Sequence, residues 1–181
     1  MNAAIDISSV RLTTARLILR PFEEKDLTDF NEYARVDGVG QMAGWLPHQS
    51  MEESAAILSM FIAEKKTLAL ESREDRKVIG SLGLEPCYPA TGLDERLQGR
   101  EIGYVLSRDH WGRGLMPEAV KAAMAYCFYG AGCDYLTIAH FDFNTQSRRV
   151  IEKCGFTYLR DREVSTPAGK FHALLYAKMR P

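Results

Sequence analysis

Apolar and polar positions alternate along Arg100–Leu106 (REIGYVL): Ile102, Tyr104 and Leu106 fall on one side of an extended chain, and Glu101, Gly103 and Val105 on the other. That period predicts a strand. The period then changes. Val120, Met124 and Phe128 recur at helical spacing with Ala123 and Cys127 beside them, which predicts a helix. Pro117 sets its start, because proline is tolerated in a first turn and not in a helix interior. Gly112 and Gly114 stand between the two periods, just ahead of the helix N-terminus. Unpaired amides and the positive end of the helix dipole face outward there, and such a place binds anions, phosphate in particular. The central unit therefore reads as strand, phosphate cradle, helix.

The rest of the chain is organised around that unit. Residues 1–14 are polar overall and predict a loosely held N-terminal segment. Arg16–Phe22 (RLILRPF) predicts a strand stopped at Pro21, followed by a helix with Leu27, Phe30 and Tyr33 or Ala34 on one face. The loop GVGQMAGWLPHQ carries Trp45 and leads to Ser50, which with Glu53 forms a capping box for a helix with Ile57 and Phe61 on its inner face. Strands are predicted over Thr67–Glu71 and Lys77–Leu84 around the charged turn SREDR, and residues 85–99 read as a surface loop. Tyr135–Phe141 predicts a further strand. Asn144 stands as N-cap of the short helix TQSRRVIEKC, closed by Gly155. Phe156–Arg162 and Lys170–Met179 predict the last two strands, turned at STPAGK. The order predicts a mixed α/β (α+β) domain over 12–181 with helices on the faces of its sheet, not a regular βαβ alternation.

Composition narrows the class. A length of 181 residues suits one domain, and a net charge of −1 argues against an extended nucleic-acid footprint. The N-terminus MNAAIDISSVRLTT has no apolar signal-like region, and no apolar run approaches a membrane span. Cys87, Cys127, Cys133 and Cys154 show no C-x-x-C spacing, so reduced thiols in a cytoplasmic protein are the expectation. His48, His110, His140 and His172 are too scattered for a metal cluster, and no metal is expected.

The Gly112–Arg113–Gly114 turn does not complete a dinucleotide-binding fingerprint, since Pro117 occupies the third glycine slot, and no Gly-Lys-Ser/Thr makes it a P-loop. Taken alone it could be an ordinary tight turn. Taken with EIGYVL before it, WGRGLMPEA around it, and NTQSRRVIEKCGF after the next strand, the chain resembles the GNAT superfamily of N-acetyltransferases over Leu12–Lys178. It is similar in particular to the Rim-type branch that acetylates ribosomal-protein N-termini, by its opening TARLILRPF and Trp45. The resemblance implies a single-domain fold with a twisted mixed sheet of about six to seven strands, splayed at its centre and flanked by about four helices. It also implies acetyl-CoA, whose diphosphate is held by backbone amides of Trp111, Gly112, Arg113, Gly114, Leu115 and Met116. The pantetheine arm lies along Val105 and Leu106, and Asn144 and Ser147 reach it from the next strand's end. One departure is Asp109, which takes the slot where the family usually carries glutamine or arginine, with Arg108 one residue earlier.

Acetyl transfer to an amine needs a neutral amine, a stabilised oxyanion and a proton for the leaving thiolate. A backbone amide near Val105 or Leu106 can serve the oxyanion. The resemblance implies Glu101 as the base, since several family members keep a glutamate on this strand; otherwise it is a solvated strand-edge glutamate paired with Arg100 or a neighbour. Many GNAT enzymes carry their acid as a tyrosine in the helix before Gly-Phe, and Ile151 fills that slot here. The resemblance to the Rim-type branch implies Ser147 as the donor; otherwise it is a helix N3 residue with a local hydroxyl bond. Tyr104 is a poorer candidate, because alternation aims it opposite Glu101. Arg148 and Arg149 either reach the cofactor's 3′-phosphate or form a solvated helix face. A peptide α-amine of pKa about 8 is roughly one-tenth neutral at pH 7, against roughly one in a few thousand for lysine, so a weak, water-mediated base suits an α-amine. The expectation is an acetyl-CoA-dependent N-acetyltransferase, monomeric or homodimeric, acting on a protein or peptide N-terminus by direct attack. The alternatives are a small-amine acetyltransferase (polyamine, amino acid or aminoglycoside) and a non-catalytic acyl-CoA sensor.

Overall fold

Eight strands and four α-helices surround one open sheet, seen in a computed structural model that describes residues 1–88 and 91–181. The strands are β1 (Leu12–Thr13), β2 (Leu17–Pro21), β3 (Thr67–Ser72), β4 (Val78–Glu85), β5 (Gly99–Leu106), β6 (Tyr135–Phe141), β7 (Thr157–Thr166) and β8 (Gly169–Met179). The helices are α1 (Leu27–Ala34), α2 (Met51–Glu64), α3 (Leu115–Tyr129) and α4 (Thr145–Lys153). Sheet order is β1-β2-β3-β4-β5-β6-β8-β7, antiparallel throughout except for the parallel pair β5–β6.

The apolar faces divide as the periodicity predicts. Leu82, Ile102 and Leu106 meet Val120, Ala123 and Met124 of α3 on one face of the sheet. On the other, Phe30, Tyr33 and Ala34 of α1 pack with Leu58 of α2 against Ala69 and Val78. Ile57 and Phe61, predicted as the inner face of α2, are only half-buried, and its fully buried positions are Ser54 and Leu58. Ser50 caps that helix by accepting from the Glu53 amide, but the Glu53 carboxylate reaches back to the amide of Gln49 rather than that of Ser50.

Three expectations change. The strand count is eight rather than six or seven, because Leu12 and Thr13 pair with Leu19 and Ile18 at the sheet edge. Residues 1–14 are not loosely held: Ala3 and Ile7 are fully buried, and the amides of Ala3 and Ile7 donate to Gly99 and Lys65 carbonyls. Isolated apolar residues without a period plug an open end of the core there, and periodicity does not report such plugs. The closing hairpin runs further than read, with β7 and β8 paired out to Thr166 and Gly169. Val164 and Phe171 carry the pairing past the polar residues that suggested a longer turn. Within the loop expected over 85–99, residues 89 and 90 lie outside the described residues.

The register of β5 positions the site. Its parallel pairing with β6 runs only from Gly99 opposite Tyr135 to Ile102 opposite Ile138. Beyond Ile102 the two strands part, so Gly103–Leu106 keep β4 on one side and leave their β6-facing edge without a strand partner. The sheet is splayed where a V-shaped gap opens at the C-terminal end of β5.

Candidate active site

A cavity of about 460 Å³ fills that gap. Strand β5 ends at its wall, and Trp111 fixes the turn that follows by donating its indole N–H to the Leu106 carbonyl at 2.8 Å. Trp111 thus buttresses the turn. Gly112 and Gly114 both adopt φ +75°, the left-handed region that a side chain resists, and a Cβ on Gly112 would project into open space. Among the described residues, no protein acceptor takes the amides of Gly112, Arg113, Gly114, Leu115 or Met116. Five free donors converge at the N-terminus of a 15-residue helix, a donor set that fits a diphosphate. All the predicted turn residues except Arg113 line the cavity, but the Trp111 amide, expected to join the cradle, is already taken by the Arg108 carbonyl because a short 3-10 turn precedes it. Asp109, the unfavourable departure, lines a separate cleft with Asp29 and Asp75 and so faces away from the cradle.

Because the gap pierces the sheet, side chains from both faces of β5 reach the same cavity. Glu101 lies on the α1/α2 face. Its Oε1 accepts from Arg162 Nη2 at 2.5 Å and its Oε2 from Nη1 at 3.0 Å, with Thr137 Oγ1 at 3.4 Å. The two side chains are 14% and 12% exposed, so this fork is a shielded ion pair rather than a solvated edge contact. Arg100, the neighbour considered as a partner, instead donates to the Ala3 and Leu84 carbonyls.

Tyr104 lies on the opposite face, as alternation predicts. Its hydroxyl nonetheless lies 2.8 Å from Ser147 Oγ, and both residues line the cavity. Tyr104, the poorer candidate for the acid because alternation aims it opposite Glu101, does face that way, since no bulge shifts β5 against β4, and it reaches the cavity through the gap. Burial pushes the Tyr104 phenol well above its ordinary range, with the Ser147 hydrogen bond working the other way, so it stays protonated. Ile151, in the slot where the resemblance leads one to expect a tyrosine, is fully buried. Asn144 caps α4 by accepting from the Ser147 amide at 3.0 Å, and its Nδ2 donates to the Met42 carbonyl at 3.1 Å. Both ends of its amide are engaged, and it latches the Gly40–Ala43 turn to α4. Arg149 lines the cavity, whereas Arg148 pairs with Glu152 on an exposed face.

Val105 and Leu106 stand at the end of β5 on the cavity wall. Past them the acceptor side is walled by Val39, Met42, Phe141, Val164 and Ala173, with the Glu101–Arg162 pair set in the wall. Trp45 stands back from it, packed on Gly40 so closely that a Cβ there would overlap its ring, and it pins its loop. Sequence reasoning missed Arg162, Arg16 and the Tyr104–Ser147 contact. A signal existed only for Arg16, inside the opening TARLILRPF.

The model of the acetyltransferase (GNAT) domain family matches residues 16–157. The uncharacterized N-acetyltransferase YoaA of Bacillus subtilis (strain 168) is 27% identical over 150 residues, spanning 80% of this chain and 81% of that protein. Among solved structures, an acetyltransferase (GNAT family) from Bacillus anthracis superposes with a TM-score of 0.82 at 19% identity, covering 94% of this chain and 99% of the other. Ribosomal-protein-S5-alanine acetyltransferase from Vibrio fischeri gives 0.73 at 17% identity, covering 95% and 97%.

Proposed function

The protein belongs to the GNAT acetyltransferase family and transfers acetyl groups from acetyl-CoA to an amine, and we propose that this amine is the α-amino terminus of a protein or peptide. One observation carries the choice: Glu101 is the only carboxylate among the described lining residues, and Arg162 already neutralises it. The remaining ionisable side chains on the wall include Arg149 and Lys153. A polyamine or aminoglycoside would bring further ammonium groups into a cavity with no free carboxylate to receive them, at a cost that grows with each. An N-terminal residue brings a single amine on a largely uncharged body, which suits apolar walls. A protein acceptor is also the kind named for the structural neighbour called ribosomal-protein-S5-alanine acetyltransferase.

Acetyl-CoA supplies an activated acyl carbon and a thiol leaving group. The free amides of Gly112–Met116 hold the diphosphate, and the unpaired edge of β5 at Val105 and Leu106 aligns the arm and offers an amide to the carbonyl oxygen as charge gathers on it. Glu101, held by Arg162 so that its carboxylate cannot rotate, accepts the amine's proton through water. Ser147 holds the proton for the departing sulfur at Oγ, with Tyr104 behind it. Direct attack within a ternary complex needs no enzyme nucleophile.

Steady-state thiol release over an acceptor panel tests the reading. Short peptides with a free α-amine and a small first residue are expected to exceed spermidine, an aminoglycoside and an Nα-blocked lysine peptide by at least about tenfold in kcat/KM. Preference for spermidine or the aminoglycoside would overturn the acceptor assignment. Acetyl-CoA binding with no turnover on any acceptor would make the protein a sensor.

A further inference from the structure

The turn that carries the free amides has a weakness. Arg113 lies between two glycines in left-handed conformation, and peptide planes next to glycine flip at little steric cost. A flipped plane would point a carbonyl oxygen at the diphosphate in place of an N–H. Something must hold the planes.

Arg16, just before β2 and 97 residues from Arg113 in sequence, lies against the back of this turn. Its Nη1 donates to the Arg113 carbonyl at 2.8 Å and its Nη2 to the Gly114 carbonyl at 3.2 Å. In a trans peptide the C=O and the following N–H point in opposite directions. Drawing these two carbonyls to Arg16 therefore turns the amides of Gly114 and Leu115 away from it, toward the cradle. The guanidinium is itself fixed by Glu118 in the first turn of α3: Nε donates to Oε2 and the Arg16 amide to Oε1, each at 2.8 Å. Burial works against the ionised form of Glu118, yet the hydrogen bonds from Thr14 and Arg16 hold its carboxyl below the ordinary range. One planar fork spans two successive carbonyls and a carboxylate, which a lysine cannot do.

We propose that Arg16 is a positioning residue that sets the peptide planes of the diphosphate cradle from behind. The inference rests on the acetyl-CoA reading of the turn and goes beyond it, since Arg16 need not touch the cofactor.

Calorimetric titration of the full chain with CoA tests it. Arg16→Ala is expected to raise the Kd for CoA about tenfold or more, and Arg16→Lys, which keeps the charge and loses the fork, to fall between Arg16→Ala and wild type. Glu118→Gln keeps the carbonyl bonds and is expected to cost less than Arg16→Ala. A second readout excludes general damage: the penalty of Arg16→Ala on kcat/KM should appear with acetyl-CoA and shrink to within about twofold with S-acetylpantetheine, which lacks the diphosphate. Unchanged CoA affinity in Arg16→Ala, or an equal penalty with both donors, overturns the positioning role. A wild-type chain that gives no heat with CoA removes the underlying reading as well, and that result is told apart because the defect is then not confined to the variants.

Discussion

The two faces of β5 meet the same cavity with unlike chemistry. On the α1/α2 side stands a charged, shielded pair, Glu101 and Arg162, tied by two hydrogen bonds. On the α3/α4 side stands an uncharged pair, Tyr104 and Ser147, tied by a short hydroxyl–hydroxyl bond and a longer one from the phenol to the Ser147 carbonyl. A continuous sheet would keep them apart, since residues of opposite parity point to opposite faces. The early end of the β5–β6 pairing at Ile102 is what lets both contribute to one site. A gap in a sheet therefore brings a carboxylate and a hydroxyl pair to opposite sides of one cavity, with the strand itself as the divider, as the proposed proton acceptor and donor require. The charged side carries its partner with it. The uncharged side holds its protons, because burial disfavours the phenolate.

The sharpest break in this comparison is Glu101→Gln. The substitution keeps the shape and removes the proton acceptor, so kcat/KM for the acceptor is expected to fall about a hundredfold or more. CoA affinity by calorimetry should stay within about twofold, because the cradle lies on the other side of the strand end. A matching loss of CoA affinity would show that Glu101 supports the fold of the gap instead.

Next in size is the donor side, where a cycle of Ser147→Ala, Tyr104→Phe and the double variant separates acting through a partner from acting alone. Ser147→Ala is expected to lower kcat about thirtyfold and Tyr104→Phe about tenfold. If Tyr104 works by orienting the Ser147 hydroxyl, the double variant should be no slower than Ser147→Ala. Additive losses in the cycle would mean that the phenol reaches the reacting atoms by its own route.

These two sides were not equally legible in the sequence. The place of Glu101 on a strand is visible from its period, and its candidacy as base comes from the resemblance. Also visible are α3, β6 and α4, whose periods and caps are local, with Asn144 capping Ser147 as its position suggests. Arg162 is invisible as a partner, because 61 residues separate it from Glu101 and only the order β6-β8-β7 brings the edge strand round. Tyr104 was legible in direction but not in consequence: alternation gives its face correctly, and nothing local tells that the sheet opens one residue after Ile102. The buried N-terminal plug fails for the same reason as Arg162, since its contacts with Gly99 and Lys65 are made by tertiary structure and not by any period.

The smallest expected effect concerns the layer that supports the charged side. His48 is buried between α1 and α2, its ring 5.3 Å from that of Phe30 and its Nδ1 2.8 Å from Ser54 Oγ. Ser54 Oγ also accepts from Asn31 Nδ2 at 2.8 Å, and the Ser50 carbonyl at 3.4 Å is a second acceptor for its proton. Burial pulls His48 below its ordinary value, with Glu53 opposing. As pH falls, the unfolded chain therefore takes up this proton first. Stability is fully present above the unfolded value of about 6.5 and is lost as pH drops from there through the folded value. The buried histidine of the other side, His140, lies in strand β6 rather than between helices, its ring nitrogens bonded to the Phe141 carbonyl and the Tyr176 hydroxyl. Hydrogen exchange at pH 7 and pH 5 should consequently show α1 and α2 losing protection earlier than α3, and His48→Gln should reduce the difference between the two layers. Equal loss in both layers would mean that acid acts on the molecule as a whole, and that the charged face of β5 has no weaker support than the uncharged one.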